Sequence, residues 1–462
     1  MLHSPICRPE LNRVPHPLSS AACFRNYGSV SNASSPTNQH ISVQPDGKVM
    51  IDLIFTEEPV GMPASEGYGW PQFEFGEVFG PDQRYVIVRK LGWGMFSSTW
   101  MARDQKRHKY VAVKALTGYA TELVDGQYTW EPTILQRISR PSNPHCIKLI
   151  SAPFIVPGKG SAGNHMCLVT PLLGGDVRSL RAQQDKPFPL SLSKRILLHV
   201  LRGLDHLHRR GGVHTDLKWD NFFFDHGMTA PDIKRHLVSE PASLNPPEAS
   251  HDGILQSAVS QPLPIPTLDE AMQRTFILAD FGCAYPRFLQ NDHQISPPSL
   301  RAPEVFLGAV WDEKVDIWSF GCLVSKSPIF PSCFCELTRP LEIYELVTGR
   351  ILFRHEENTT QMLDSEENML YQMLCYTCED FKSEQLSVSP RAGNYFDSTC
   401  NLVANPEVVG CPFELCIEAH GILEEADIAP IAALMKRCMR LDPKNRASAE
   451  ELLADPWFTG VE

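Results

Sequence analysis

The pattern of apolar and polar residues predicts both strands and helices. Residues 85–88 form an apolar run typical of a strand, and residues 111–114 form a second such run that ends in a lysine. From Thr129 onward the apolar positions recur at helical spacing, which predicts a helix that begins near this residue. Residues 1–49 show neither period and are rich in Ser, Asn and Pro, so we predict a disordered leader over residues 1–66.

A glycine-rich segment follows the first of these strands and reads Leu-Gly-Trp-Gly-Met-Phe-Ser at 91–97. Gly92 and Gly94 would let the backbone approach a phosphate group closely and adopt angles that a β-carbon forbids. Lys114, at the end of the second strand, is placed to bridge the α- and β-phosphates of a nucleotide. A glycine loop alone is a weak signal, and it becomes strong only with ordered partner motifs further along the chain.

Two later motifs carry the residues that phosphoryl transfer needs. The stretch 213–221 reads Val-His-Thr-Asp-Leu-Lys-Trp-Asp-Asn, and Ala-Asp-Phe-Gly follows at 279–282. The reaction requires an acceptor for the substrate hydroxyl proton, a cation on the moving phosphate, and oxygen atoms that hold magnesium. We assign these three roles to the following residues: Asp216 for the proton, Lys218 for the phosphate, and Asn221 and Asp280 for the metal.

These ordered motifs resemble those of eukaryotic Ser/Thr protein kinases over about residues 67–458. More narrowly, the chain is similar to the SR-protein kinase group, in particular to its fungal members. The features of this narrower resemblance are Ser97 at the third glycine position, Thr215 in place of the usual arginine, an insertion before Asp280, and the lead-in Tyr-Gly-Trp at 68–70. The resemblance implies an α+β bilobal kinase fold, with a small β-rich N-lobe and a larger helical C-lobe.

The resemblance also divides the chain into two lobes. It implies an N-lobe with a lead-in segment at 67–173 and a C-lobe at 174–458. Glu304 closes the activation segment, and we expect it to pair with Arg446. In the kinase fold this ion pair ties the activation segment to the rest of the C-lobe. We therefore expect both residues to stabilise the fold and neither to contact the substrate.

Thr215 bears on whether phosphorylation of the activation loop would regulate the activity. The arginine that kinases usually carry at this position pairs with a phosphate on the activation loop and orders it. The segment from Asp280 to Glu304 is short, and its hydroxyl residues besides Tyr285 are Ser296 and Ser299. We therefore predict activity that does not depend on phosphorylation of the activation loop.

The resemblance implies ATP and Mg²⁺ as cofactors and assigns further residues to the nucleotide pocket. Glu131 is the expected partner of Lys114, with Glu122 as the alternative. Pro132 would then lie in the first turn of its helix, where proline is tolerated because the amides there lack partners. The remaining pocket residues are Leu91 in the glycine loop, Thr99, Ala112 and Phe223 around the adenine, Thr170 as gatekeeper, and Leu173 for backbone contacts in the hinge.

Two proline-containing stretches interrupt the C-lobe pattern. Residues 225–274 form an insertion that we expect to loop out before Asp280; in SR-protein kinases a spacer at this position influences localisation and partners. Residues 324–342 have no helical pattern, and their removal would restore an uninterrupted buried helix. We hypothesise that they are a retained intron in the gene model. As a real segment they would disrupt the helix locally, since a buried helix cannot be interrupted without unpaired backbone groups.

Composition and charge limit the classes of function. No apolar run approaches the roughly 18 residues of a membrane-spanning helix, so we expect no membrane partner. A formal net charge of −12 argues against direct nucleic-acid binding, and it suits basic Arg/Ser-rich protein substrates as well as it suits simple solubility. The 14 cysteines are scattered, which favours a reducing compartment, and the Cys-x-x-Cys at 375–378 lacks a second pair at zinc spacing.

From these features we predict an ATP-dependent, non-specific serine/threonine protein kinase. Lys218, two residues after Asp216, is typical of enzymes that act on Ser or Thr rather than on Tyr. The alternative is a pseudokinase or binding scaffold that is inactive because of the insertion at 324–342. By analogy with the group we expect a monomer that acts on protein substrates in the cytoplasm, with the nucleus as a second location.

Overall fold

The chain forms two lobes, a small one built on a sheet and a larger one that is mostly helical. This arrangement confirms the predicted α+β bilobal fold. Among the residues described, no helix is long and apolar enough to cross a membrane. The structure is a computed structural model, and it describes residues 38–43, 49–54, 56–184, 187–289, 295–324, 352–419 and 423–462.

The leader contains structure that the sequence did not predict. Strands β1 (Asn38–Val43) and β2 (Val49–Ile54) pair as an antiparallel hairpin. Residues 56–66 then run along the N-lobe, where the Glu58 carboxylate contacts the ammonium of the buried Lys90. The leader thus supplies a polar partner for an ammonium that would be costly to bury unpaired. The extent of the predicted disordered leader, residues 1–66, stays a prediction.

An antiparallel six-stranded sheet forms the N-lobe, in the spatial order β3-β4-β5-β6-β8-β7. Its strands are β3 (Val78–Phe79), β4 (Tyr85–Gly94), β5 (Ser97–Asp104), β6 (Lys109–Leu116), β7 (Phe154–Pro157) and β8 (Asn164–Pro171). The two predicted strands lie in β4 and β6. Tyr85 and Ile87 of β4 point into the core, as expected for alternate residues of a strand with one buried face. The helices of this lobe are α1 (Gly118–Asp125) and α2 (Glu131–Ile138).

The C-lobe combines helices with short strands. Its described helices are α3 (Val177–Ala182), α4 (Leu190–His208), α5 (Ala230–Ser239), α6 (Leu268–Ala271), α7 (Pro303–Phe306), α8 (Lys314–Val324), α9 (Ser365–Thr377), α10 (Ser383–Ser387), α11 (Phe413–Glu418), α12 (Glu425–Cys438) and α13 (Ala449–Leu453). Its strands are β9 (Leu173–Asp176), β10 (Gly212–Val213), β11 (Phe222–Asp225), β12 (Glu248–Ser250), β13 (Gly253–Leu255), β14 (Phe276–Leu278) and β15 (Tyr285–Pro286). The predicted boundary between the lobes, at 173/174, lies at the start of β9 and stays a prediction.

The predicted ion pair between Glu304 and Arg446 is present and buried. Two hydrogen bonds of 2.7 Å join the Arg446 guanidinium to the two oxygens of the Glu304 carboxylate. Arg446 also donates to the carbonyl oxygens of Arg440 at 2.9 Å and Lys314 at 3.0 Å, and it lies 5.2 Å from the ring centre of Trp318. This pair, the C-lobe clamp, is confirmed as a contact that holds the end of the activation segment.

The insertion at 225–274 leaves the C-lobe after β11 and returns at β14, and between these strands it packs on the N-lobe. The Gln261 amide donates to the carbonyl of Lys90 at 3.0 Å. The Asp252 carboxylate accepts the Ser161 amide at 3.0 Å, and Ala258 is buried in the core of the six-stranded sheet. The prediction of a segment that simply loops out missed this packing, because the contacts join residues far apart in sequence.

The second insertion lies almost wholly outside the described residues. Helix α8 ends at Val324, and the description resumes at Leu352. The hypothesis that residues 324–342 are a retained intron therefore stays a prediction. Leu352 and Phe353 are buried, and the Phe353 ring stacks on Trp318 of α8 with their centroids 5.6 Å apart. The first described residues after the second insertion therefore pack against the same C-lobe core as α8.

Candidate active site

Lys114 on β6 contacts two carboxylates from distant parts of the chain. Its Nζ lies 2.7 Å from Oε1 of Glu131 and 2.8 Å from Oδ1 of Asp280. We call these three residues the catalytic ion cluster. The Lys114 ammonium holds the pKa of Asp280 well below its ordinary value, whereas burial raises the pKa of Glu131. Although burial opposes the ammonium charge, the two carboxylates raise the pKa of Lys114, so Lys114 is a cation and Asp280 an anion at neutral pH.

The start of α2 explains how Glu131 reaches Lys114. Glu131 is the first residue of the helix, and Pro132 is the second, a position where a missing amide hydrogen costs no helical hydrogen bond. The helix therefore begins two residues later than Thr129, the predicted start. Lys114 pairs with Glu131 and not with the alternative, Glu122, which lies on α1.

Asp216 is held by both of the residues that were predicted to act beside it. The Lys218 Nζ lies 2.8 Å from its Oδ2. The Asn221 Nδ2 donates to the backbone carbonyl of Asp216 at 2.7 Å and to Oδ2 at 3.2 Å. Both of these bonds use the amide nitrogen of Asn221, so its amide oxygen is not engaged by them. Although burial opposes it, the Asp216 carboxylate raises the pKa of Lys218, which stays protonated.

Asp316 of α8 fixes the backbone just before Asp216. Its carboxylate accepts the amide hydrogens of His214 and Thr215, each at 2.8 Å, and lies 2.9 Å from Nε2 of His208. Thr215 has φ +65°, which is unusual for a β-branched residue and costs of the order of 1–3 kcal/mol. The two bonds to Asp316 hold this strained turn and with it the position of the catalytic loop.

The catalytic loop is also tied to the activation segment through Thr215. Its hydroxyl donates to the carbonyl of Cys283 at 2.6 Å, and the Ser296 hydroxyl donates to the Thr215 carbonyl at 2.7 Å. The rings of His214 and Phe281 are in contact, with centroids 5.1 Å apart. Sequence reasoning missed the role of Ser296, because no local pattern links two residues so far apart in the chain.

Gly92 and Gly94 lie on β4, opposite Thr99 and Ser97 of β5. A β-carbon at either glycine would meet no protein atom within 4 Å. Packing against the protein therefore does not explain these glycines, which border open space. The Trp70 indole donates to the carbonyl of Gly94 at 2.9 Å, so the lead-in segment braces the end of the glycine loop.

Four of the predicted pocket residues lie close to Lys114 on the N-lobe sheet. Thr99 stands opposite Lys114 in the pairing of β5 with β6, and Ala112 stands opposite Thr170 in the pairing of β6 with β8. Leu91 packs against the same apolar cluster as Ala112. The sheet register therefore gathers these residues beside the glycine loop.

The other two pocket residues belong to a different sheet, of order β14-β11-β9. Leu173 begins β9, and Phe223 lies on β11 opposite Asp176. The Asp176 side chain accepts the amide hydrogen of Ser179 at 2.7 Å and caps α3, and burial raises its pKa to about 6. Sequence reasoning did not select Asp176, although an aspartate just before a helical run is a helix-start signal.

Comparison with known proteins gives a family match and relatives that align over most of their length. A family model described as "Protein kinase domain" matches residues 85–237. The chain is 32% identical to Protein kinase dsk1 of Schizosaccharomyces pombe over 521 residues, which cover 92% of this chain and 89% of that protein. It is 27% identical to Serine/threonine-protein kinase SRPK of Physarum polycephalum over 432 residues, 88% of this chain and 93% of that protein.

A solved structure is similar in fold. The crystal structure of a kinase domain superposes with a TM-score of 0.55 at 22% sequence identity. The match covers 84% of this chain and 98% of the solved chain. At this level of identity the likeness supports the fold and carries no statement about substrates.

Proposed function

This chain belongs to the SR-protein kinase-like group of Ser/Thr protein kinases, and we propose that it transfers the γ-phosphate of ATP to Ser or Thr hydroxyls of proteins, among them Arg/Ser-rich proteins. The observation that carries this proposal is the catalytic ion cluster. Lys114, Glu131 and Asp280 come from separate motifs, and they meet within hydrogen-bonding distance. A kinase needs this lysine–glutamate pair and this aspartate in place to position the phosphates.

The side chains around the cluster suit a magnesium nucleotide. We assign the metal to the Asp280 carboxylate, which is ionised and 47% exposed, and to the amide oxygen of Asn221. Magnesium held there would neutralise negative charge on the phosphates. No three His, Cys, Asp or Glu side chains of the described ranges stand at metal-binding geometry. Magnesium does not require them, since it takes ligands from phosphates and water beside one or two protein groups.

Asp216 and Lys218 would perform the transfer itself. Asp216 would accept a hydrogen bond from the substrate hydroxyl and so orient its oxygen toward the phosphorus. The contacts from Lys218 and Asn221 hold the Asp216 carboxylate in one position before the substrate arrives. Lys218 would stabilise the negative charge on the phosphate that is transferred, because its ammonium lies beside the accepting carboxylate.

We further propose that the adenine is held at the hinge side of the same cleft. Its contacts would come from the predicted pocket residues: Leu91, Thr99, Ala112, Thr170, Leu173 and Phe223. The net charge of −12 supports a basic class of substrate, because an acidic protein attracts arginine-rich peptides. A monomer that acts in the cytoplasm, with the nucleus as a second location, completes the proposal.

A phosphate-transfer assay tests this function. The purified full chain is incubated with radiolabelled ATP, magnesium and an arginine–serine repeat peptide, beside a peptide with alanine for serine and one with glutamate for arginine. We expect label only in serine peptides and most in the arginine–serine peptide. Asp216→Asn should lower kcat by about 10²–10⁴-fold, the usual contribution of a general base, with an unchanged thermal midpoint.

The outcomes separate the general proposal from the narrower one. Equal labelling of the arginine and glutamate peptides would overturn the proposed preference for Arg/Ser-rich substrates but not the proposed kinase activity. If the wild type labels the peptide no more than Asp216→Asn does, the proposed kinase activity is overturned. A variant that lacks residues 324–342 tests the alternative of a pseudokinase or scaffold. That alternative predicts activity in the deletion variant and none in the wild type. It is not favoured, because the predicted catalytic residues are present and in contact.

A further inference from the structure

A cluster of four cysteines lies in the C-lobe among residues that the phosphate chemistry does not use. Cys375 and Cys378 stand at the end of α9, and Cys411 and Cys416 stand at the start of α11 and within it. The Cys411 amide donates to the carbonyl of Cys375 at 2.8 Å, which joins the two pairs. The tertiary structure thus places beside the Cys-x-x-Cys a second pair that its spacing did not reveal.

Cys411 and Cys416 are the pair whose sulfur atoms meet. Their Sγ atoms are 3.3 Å apart, and the Cys416 thiol also lies 3.2 Å from the Cys411 carbonyl. A disulfide needs a sulfur–sulfur separation of about 2.05 Å, so the two atoms need to approach by only about 1.2 Å. The turn between the two residues therefore already brings their side chains close to bonding geometry.

The two thiols of this pair differ in access to solvent. Cys411 is half-buried, so a small oxidant can reach it, whereas Cys416, whose sulfur it contacts, is buried. This is the arrangement of an attacking thiol with a resolving partner. Burial raises the pKa of the nearby Cys375 and Cys378 thiols, which keeps both protonated and weakly nucleophilic.

We propose that Cys411 and Cys416 are a redox-responsive pair that a hydroperoxide converts to a disulfide. The Cys411 thiolate attacks the peroxide, an S–O bond forms, and the O–O bond breaks to release water or an alcohol. The Cys416 sulfur then attacks the Cys411 sulfenic acid, the S–S bond forms, the S–O bond breaks, and hydroxide leaves as water with the thiol proton. The two thiols lose two electrons in total, and the peroxide gains them.

A metal is the competing explanation for four neighbouring cysteines. Zinc favours a tetrahedron of thiolates about 2.3 Å from the ion. Within the described ranges, no group of three or more His, Cys, Asp or Glu side chains has metal-binding geometry. The sulfur atoms of Cys411 and Cys416 are instead in direct contact, and two sulfurs in contact are the geometry of a dithiol.

Peptide mapping of the oxidised full chain tests the proposal. The reduced protein is treated with hydrogen peroxide, its remaining thiols are alkylated, and it is cleaved after glutamate. Cleavage after Glu414 separates Cys411 from Cys416, so a disulfide between them joins two peptides. We expect this joined species to exceed oxidised Cys400, a half-buried cysteine elsewhere in the lobe, by at least about tenfold. A dithiol reductant should separate the two peptides again.

Two variants make the result specific. In Cys416→Ser the resolving thiol is lost, so the Cys411 sulfenic acid should accumulate and react with dimedone. Cys400→Ser is the matched control and should form the Cys411–Cys416 link as the wild type does. The proposal is overturned if Cys411 joins Cys378 instead, or if Cys411 and Cys400 oxidise equally. Stoichiometric zinc in the purified protein, with the four thiols protected from alkylation, would likewise overturn it in favour of a metal site.

Discussion

The C-lobe clamp and the catalytic ion cluster are both built on ion pairs, but they differ in how completely their charges are satisfied. In the clamp one arginine meets one glutamate, and the side chains of Arg446 and Glu304 are 0% and 5% exposed. In the cluster one lysine meets two carboxylates, and the Asp280 side chain is 47% exposed. The clamp is closed on itself, whereas the cluster carries an excess of negative charge that faces the cleft.

This difference shows how a buried charge can serve stability in one place and chemistry in another. Arg446 uses its nitrogens on Glu304 and on backbone carbonyls, so no ligand is needed to complete its contacts. The cluster is formally short of one positive charge, and its carboxylate Asp280 is open to solvent. A divalent cation with its nucleotide would supply the charge, which is why the same kind of pair is functional there.

The largest effect is expected from Arg446→Met, which breaks the clamp. The substitution leaves the Glu304 carboxylate buried without its cation, and such a loss costs about 3–5 kcal/mol of the free energy of unfolding. Urea unfolding measures it. Arg209→Met is the matched control, since Arg209 is 56% exposed and water screens its ion pair with Asp205, so the loss of stability should be small. Equal losses in the free energy of unfolding of the two variants would show that the buried clamp stabilises the fold no more than an exposed ion pair does.

Lys114→Met should have the opposite signature and act on catalysis. We expect kcat to fall by about 10²–10³-fold, as for other losses of an electrostatic group at a reacting phosphate or oxyanion. The midpoint of thermal unfolding should change less than in Arg446→Met, because Glu131 can take up a proton once Lys114 is gone. Lys159→Met, at an exposed lysine of the same lobe, is the control and should keep full activity. A Lys114→Met enzyme with normal kcat would remove the cluster from the mechanism.

The smallest effect is expected from a change at Glu58. Its carboxylate contacts Lys90 and is buried like the charges of the C-lobe clamp, but its pKa is shifted like those of the catalytic ion cluster. Burial raises the pKa of Glu58 from 4.5 to about 7. In the folded state it therefore holds a proton that the unfolded chain has released, so its contribution to stability is complete below pH 4.5. That contribution declines as the pH rises to about 7 and is constant above.

Glu58→Gln should remove this part of the pH dependence. The free energy of unfolding at pH 5 and at pH 8, measured in urea, would differ less in the variant than in the wild type. Glu66→Gln, at an exposed glutamate of the same leader segment, should leave the difference as it was. An unchanged difference in Glu58→Gln would mean that Glu58 does not titrate in this interval.

Much of the candidate site could be predicted from sequence because its chemistry resides in short motifs. Asp216, Lys218 and Asn221 lie within one loop, so their spacing alone brings them together. Lys114 and Asp280 were selected by the order of the motifs. The N-terminal boundary of α2 was less certain, since Pro132 is compatible with several positions in a first turn.

What the sequence determined by itself was the chemistry of the cleft, through residue types at short and regular separations. Only the tertiary structure decided which distant segments meet: the insertion with the N-lobe at Ala258, Ser296 with Thr215, and Cys411 with Cys375. These contacts join residues that are far apart in the sequence, so no local pattern encodes them. Their formation depends on how the lobes and the insertion pack, because it is the packing that brings their backbone and side-chain groups within hydrogen-bonding distance.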